Sequence, residues 1–285
     1  MSSLIAERRR AFHADLLNEV LCVDAKGIAS NADSSSTLSR KLALRIAEKL
    51  KSEVGRDRLA GQTSGSKFES IVEVYVFSTF LQLGHLRPGT WEVRKMGTRA
   101  KLGIAGFEQY GHLTQLADLA SENPMLAVAL GADYVIAPDV IVLRRPETDA
   151  FINEGKEIVD LDIARLTPIR SVNDVLPTLH ASISCKWTLR SDRAQNAKSE
   201  ALNLVRNRKG KLPHIVAVTG EPMPSRIASL ALGTGDLDCV YHFALPELRE
   251  ALDEYGDESG IDMINNLVIG KRLKDIADLP LDLAI

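Results

Sequence analysis

Four short apolar runs in the second half of the chain constrain its fold more than any other feature. Tyr134–Leu143 (YVIAPDVIVL), Leu179–Trp187 (LHASISCKW), Pro213–Thr219 (PHIVAVT) and Cys239–Phe243 are strand-like in length and in β-branched content. Helical spacing returns between and after them, at 193–207, 225–231 and 246–255. That alternation predicts an α/β protein, with a central mixed β-sheet flanked by helices. Upstream, residues 3–21, 36–55 and 66–83 read as helices. In the second, Leu38, Leu42, Ile46 and Leu50 recur at helical spacing and Gly55 stops the pattern. The serine-rich link Asn31–Ser36 is a loop able to cap it. In the third, Phe68, Ile71, Val72, Tyr75 and Thr79 share a face, and helical patterns return at about 107–130. With no repeat or linker dividing the chain, residues 1–285 read as one domain with an N-terminal helical elaboration.

Composition narrows the class. The segment Met1–Arg10 has no apolar core of the kind a signal peptide needs, and Met125–Leu130 is too short to span a bilayer. Cys22, Cys185 and Cys239 form no CxxC pair and are odd in number, which predicts reduced, buried thiols in a cytoplasmic protein. The six histidines lack metal-ligand spacing and read as structural or surface residues; His180, two steps from Ser182, remains a neighbour of interest. Net charge is only -3, but it is unevenly spread. Lys186 to Lys211 holds eight basic residues against Asp192 and Glu200, whereas Gly233 to Gly260 holds eight acidic residues against Arg249. A positive stripe on a near-neutral chain suits a face that meets phosphate, although solvated helix charge has the same pattern. Aromatic residues are 5% of the chain and scattered, so no array for stacking single strands is visible.

Three segments carry chemistry. In Ala137-Pro138-Asp139-Val140, the proline marks a strand edge or a bulge, and a bulge re-aims the next side chain, Asp139. In Ser182-Ile183-Ser184-Cys185-Lys186, alternation puts Ser182, Ser184 and Lys186 on one face. Lys186 is either an edge-strand lysine or the partner of a carboxylate. A placed aspartate on one strand and a lysine ending the next fit metal-assisted phosphodiester hydrolysis. There, carboxylates hold Mg²⁺ and the lysine orients or deprotonates water and offsets developing charge. An acidic residue commonly stands two positions before that lysine. Here Ser184 stands there, and Glu200 or Glu69 could supply the missing carboxylate. The third segment, Arg190-Ser191-Asp192-Arg193, begins a helix. Two arginines can fork onto guanine edges and an aspartate can accept from cytosine, so the segment suits adjacent G·C pairs; Asp192 could equally be a plain helix cap.

Together, Pro138-Asp139, Ser184-Cys185-Lys186, Arg190-Ser191-Asp192-Arg193 and the delayed Glu200 resemble the type II restriction endonucleases that recognise sites with a CCGG core. These belong to the PD-(D/E)xK nuclease superfamily. The resemblance implies a restriction-endonuclease-like fold and runs over essentially the whole chain. It implies that Asp139 and Glu200 bind Mg²⁺ with the main-chain carbonyl of Cys185, that Lys186 positions the attacking water, and that Ser184 and Glu69 complete the catalytic group. It further implies that Arg190, Asp192 and Arg193 read the central CCGG and that Arg226 and Asp33 read the outer G·C pair. Ser35 and Gln62 are additional DNA contacts. A bacterial homotetramer binding two copies of a site, GCCGGC, and leaving 5′-phosphate ends, is the expected whole.

Other functions remain open at this level. A less specific nuclease of the same fold, acting in DNA repair or transposition, needs no arginines and aspartate at the helix start. A DNA-binding protein without cleavage needs no Asp139, Lys186 and Glu200. An unrelated α/β enzyme binding a phosphorylated metabolite would show no steep salt dependence toward DNA.

Overall fold

The computed structural model describes residues 2–51, 61–97, 103–123, 138–233 and 235–285, together with Met125 and Val128; the side chains of Ala117, Ser191, Asp192 and Arg193 fall outside that description. Six strands form one sheet whose spatial order equals their chain order. They are β1 (Trp91–Lys95), β2 (Val140–Arg144), β3 (Thr178–Lys186), β4 (His214–Thr219), β5 (Cys239–His242) and β6 (Leu273–Asp275). β1, β2 and β3 pair antiparallel, and β3 through β6 run parallel. β2, β4 and β5 are buried almost throughout, and β3 is buried from Leu179 to Cys185. Strands covered on both faces read as largely apolar runs, which is why β2, β4 and β5 were legible, while β3 was legible from the alternation of apolar and polar residues along it.

Among the described residues, eight longer helices flank the sheet: α1 (Leu4–Glu19), α2 (Thr37–Lys49), α3 (Gly61–Phe80), α4 (His112–Glu122), α5 (Ser191–Asn207), α6 (Pro224–Ala231), α7 (Leu245–Tyr255) and α8 (Glu258–Ile269). Caps set several starts. The Ser3 hydroxyl accepts from Ala6 N at 3.3 Å, and the Ser36 hydroxyl from Ser39 N at 3.2 Å, so the serine-rich link caps α2 as expected. α3 packs on α1 and on β1 and β3, and it buries Phe68, Ile71, Val72, Tyr75 and Thr79, the face read from its spacing. Its β-branched residues are tolerated because burial outweighs their modest intrinsic cost in a helix.

Several expectations need correction. Pro138 marks neither an edge nor a bulge: β2 lies between β1 and β3, and its register shifts at Val142/Leu143. Asp139 stands on a bend just before the strand begins, while positions 134–137 of the expected strand lie outside the described residues. Lys186 is no edge lysine, because β3 is flanked by β2 and β4. Helix α5 starts with Arg190 as its N-cap residue, so Asp192 lies inside the first turn and is not the cap. The expected helix at 107–130 resolves into short turns and α4, with its later part outside the described residues. β1, β6 and α8 have no counterpart in the sequence reading. β1 (WEVRK) carries charges at alternate positions, and β6 is three residues long, too short for any period to show.

Candidate active site

The sheet brings the C-terminal end of β3 against the bend before β2. Asp139 Oδ2 there accepts from Cys185 N at 2.7 Å and from Lys186 Nζ at 2.9 Å. Both side chains are mostly buried, at 21% and 16% exposure. Helix α5 brings Glu200 into the same field. Burial pushes the Glu200 carboxyl up, the Lys186 ammonium opposes that rise, and the Asp139 charge adds to it. Burial works to lower the Lys186 ammonium, but the Asp139 charge and hydrogen bond, with Glu200, outweigh it and hold the amine above its ordinary value. Its neighbours thus favour the cationic form, which can orient a water and offset negative charge.

Glu69 stands at the margin of this group. It projects from α3 and its carboxylate is taken by Lys95 of β1 at 2.9 Å. Lys95 pairs in register with Val140, next to Asp139, and Met96 N donates to Asp139 O at 3.0 Å. Burial and the Asp139 charge push the Cys185 thiol well up, with Glu69 adding to the effect, so Glu69 acts in the field of the site while bound to Lys95. The Ser184 hydroxyl is buried without a hydrogen-bond partner. His180 is not part of the site. Its ring stacks near Phe80, Trp91 and His214, and its Nε2 lies 2.7 Å from Leu283 O, at the far end of β3.

Among the described residues, no group of three or more His, Cys, Asp or Glu side chains could hold a metal ion. The available donors are two carboxylates and backbone carbonyls. Asp139 Oδ2 accepts from Cys185 N and Lys186 Nζ, and the Glu200 carboxyl lies in the field of both Lys186 and Asp139. Hard oxygen donors, few in number and left open on one side, fit magnesium, which keeps waters and substrate phosphate as its other ligands.

From Lys186 the chain runs four residues to Arg190, at the rim of a groove of about 300 Å³. Its lining includes Asn31, Asp33, Ser64, Trp187, Arg190 and Arg226. Arg226 forms an ion pair with Asp33, and the Ser35 hydroxyl and backbone N–H both donate to Asp33 Oδ1, at 2.7 and 2.9 Å. The Ser35 and Arg226 contacts hold the Asp33 carboxyl well below the usual carboxylate range. Sequence-distant Asp33, Ser35, Arg190 and Arg226 thus meet in one place. Gln62 is exposed on the first turn of α3, next to the lining residue Gly61, and does not itself line the groove. Asp192 and Arg193 sit in the first turn of α5, with side chains outside the description.

The sequence reading missed Lys95, which holds Glu69, and Glu221, a carboxylate beneath the groove. Glu221 is fully buried, and its oxygens accept from Leu189 N at 2.8 Å and Met223 N at 3.2 Å. A signal was available: a glutamate two residues beyond an apolar strand lies close to the carboxyl end of a parallel sheet, where ligand sites form.

Comparison with known proteins places the chain in a family. A family model described as NgoMIV restriction enzyme matches residues 12–285. The type II restriction enzyme NgoMIV of Neisseria gonorrhoeae is 56% identical over 286 aligned residues, covering 100% of both chains. Among solved structures, the crystal structure of the pre-specific restriction endonuclease BsaWI–DNA complex has a TM-score of 0.29 at 10% identity, covering 74% of this chain and 65% of that one. A likeness at that level carries no argument. Full-length identity and the family match do: the chain belongs to the NgoMIV restriction enzyme family and is a type II restriction endonuclease.

Proposed function

We propose that the chain hydrolyses double-stranded DNA at the palindrome GCCGGC, with Mg²⁺ as cofactor, leaving a 3′-hydroxyl and a 5′-phosphate. The observation that carries this reading is the contact of Lys186 with Asp139 beside Glu200, four residues along the chain from the arginine-lined groove. Asp139, Glu200 and the Cys185 carbonyl would hold the ion. Bound there, Mg²⁺ would polarise the phosphoryl oxygens and favour ionisation of the attacking water. Lys186 orients that water and offsets charge as the bond from phosphorus to the 3′-oxygen breaks. Ser184, two positions before Lys186, belongs to the catalytic group, and Glu69, held by Lys95, adds negative potential at the margin.

Specificity falls to the groove. Arg190, Asp192 and Arg193 read the central pairs, because arginine forks onto guanine and aspartate accepts from cytosine. Arg226 and Asp33 form a preoriented pair for the outer G·C, with Ser35 fixing Asp33 and Gln62 contacting DNA from α3. The basic stretch 186–211 supplies phosphate contacts, which position the duplex without reading it.

The assembly we propose is a homotetramer on two copies of the site. Between β2 and β3, Ile158, Leu161, Ile163, Leu166 and Val172 are exposed, Leu166 at 96%. A run of exposed apolar residues on one connection supports association between copies. No helix among the described residues is long and apolar enough to cross a membrane, and we place the protein in the bacterial cytoplasm.

A plasmid digestion in Mg²⁺, with EDTA and Asp139→Ala as controls and with the ends sequenced, tests the reading. Discrete fragments ending at GCCGGC, lost in both controls, are expected. Cleavage scattered over many sequences would instead favour a less specific nuclease, and a gel shift without cleavage would favour a binding protein.

A further inference from the structure

We propose that Glu221 is a positioning residue that sets discrimination at the outer base pair by fastening the segments bearing Arg190 and Arg226 to the strand end beside Lys186. This rests on the assignment of Arg226 to the outer pair. The argument begins at β4. The Thr219 hydroxyl donates to Lys186 O at 2.8 Å and accepts from Glu221 N at 3.2 Å, so a single hydroxyl ties the lysine backbone to the glutamate backbone. One Glu221 carboxylate oxygen then takes Leu189 N, immediately before Arg190. The other takes Met223 N, the N-cap residue of α6, which carries Arg226. That same oxygen lies 3.8 Å from Arg226 Nη1, while the other arm of the guanidinium holds Asp33. The neighbouring Gly220 carbonyl accepts from Asn31 Nδ2 at 2.8 Å, which anchors the loop bearing Asp33.

Glu221 is therefore the one charged side chain, among the described residues, that contacts both the Arg190 segment and the start of α6. It is fully buried, so it does not meet DNA itself. A buried carboxylate with no function is costly and is replaced at little loss by an amide or an apolar group. Ionised, above about pH 7, this carboxylate offers two things an amide does not: an acceptor oxygen toward each of the two N–H groups, and a charge that orients Arg226.

The test compares cleavage by the full-length protein of two duplexes that differ only in the outer pair, GCCGGC and ACCGGT, for wild type, Glu221→Gln, Arg226→Ala and the double variant. Wild type is expected to prefer GCCGGC, and Arg226→Ala to lose that preference. Glu221→Gln is expected to reduce the preference about tenfold, the scale of one well-placed base contact. The double variant is expected to be no less discriminating than Arg226→Ala. Equal slowing on both duplexes by Glu221→Gln, with the ratio kept, would mean a purely structural role and overturn the inference. Arg226→Ala losing the preference while Glu221→Gln keeps it overturns the inference and leaves the base assignment standing. A wild type indifferent to the outer pair removes both. Should Glu221→Gln be unfolded, Glu221→Asp, which keeps the charge but cannot span both N–H groups, is read by the same ratio; an unchanged ratio there overturns the inference.

Discussion

Lys186 shows how one contact fixes a role. Its hydrogen bond to Asp139 and the nearby Glu200 favour its cationic form, and the role proposed for it is positional and electrostatic. Lys186→Ala should lower cleavage about 10²–10³-fold, the usual loss for one preorganised donor, while a gel shift without magnesium still shows binding. Glu221 gives a pH prediction. Burial pushes its carboxyl up from 4.5 to about 7, against the opposing Leu189 N–H, Arg226 and Met223 N–H, with Asp33 adding slightly to the rise. The folded protein thus binds more protons than the unfolded chain in that window, and stability from this group is present below it and lost as pH rises through it. The other titratable groups facing it hold their state there: Asp33 is kept below the usual range, and burial lowers His242 to about 4. Glu221→Gln removes the titration, so its stability relative to wild type should rise from about pH 5 to about pH 8 in urea unfolding. An unchanged difference would rule the titration out.

Among the elements, the parallel pair β3 and β4 does most to build the site. Their register sets Lys186 opposite Thr219, and this places the glutamate beyond β4 next to the segment beyond β3. The crossing is tight at Gly220, where an added Cβ would lie 2.4 Å from the Trp187 ring and 2.8 Å from its backbone oxygen. Trp187 is buried against Phe68 and Phe243 and cannot yield. Gly220→Ala should cost about 1–3 kcal/mol, the range for overpacking, read as a lower urea midpoint with reduced cleavage. Legibility in the sequence follows the same lines. β4 was visible as an apolar, β-branched run, and β3 because Leu179, Ala181, Ile183 and Cys185 alternate with its polar residues. β1 was not, because its outward positions carry Glu92 and Arg94, and α8 was not, because it follows α7 after a single turn centred on Gly256, Asp257.

At the scale of the whole molecule, the two uneven charge stretches have different fates. Much of the acidic stretch docks the N-terminal helices: Arg9 of α1 takes Glu247 at 2.7 Å and Asp275 at 2.8 Å, and Arg45 and Lys49 of α2 meet Glu250 and Glu254. The Arg9 group is mostly buried and bidentate, and Arg9→Ala should destabilise by about 2 kcal/mol in urea unfolding by leaving Glu247 and Asp275 unpaired. The α2 pairs are exposed, so their charge reversal should matter little and less still at high salt. The exposed connection between β2 and β3 predicts assembly. Leu161→Glu with Leu166→Glu should lower the oligomeric state in light scattering while leaving the fold intact by circular dichroism; an unchanged mass would move the interface elsewhere.

By itself the sequence determined the strand and helix alternation and the residue types of the site. Periodicity and the run Ser184-Cys185-Lys186 are local properties, set by pleat and helix geometry over a few residues. The resemblance to a known family favoured Glu200 over Glu69 as the metal-binding carboxylate and assigned Arg226 and Asp33 to the outer base pair. Only the tertiary structure decided which carboxylate meets Lys186, that Lys95 occupies Glu69, and that Glu221 lies buried under the groove. These are contacts between residues 26 to 47 positions apart. They are set by sheet order, register and burial, and a one-residue change of register would turn strand residues such as Lys95 and Lys186 to the other face.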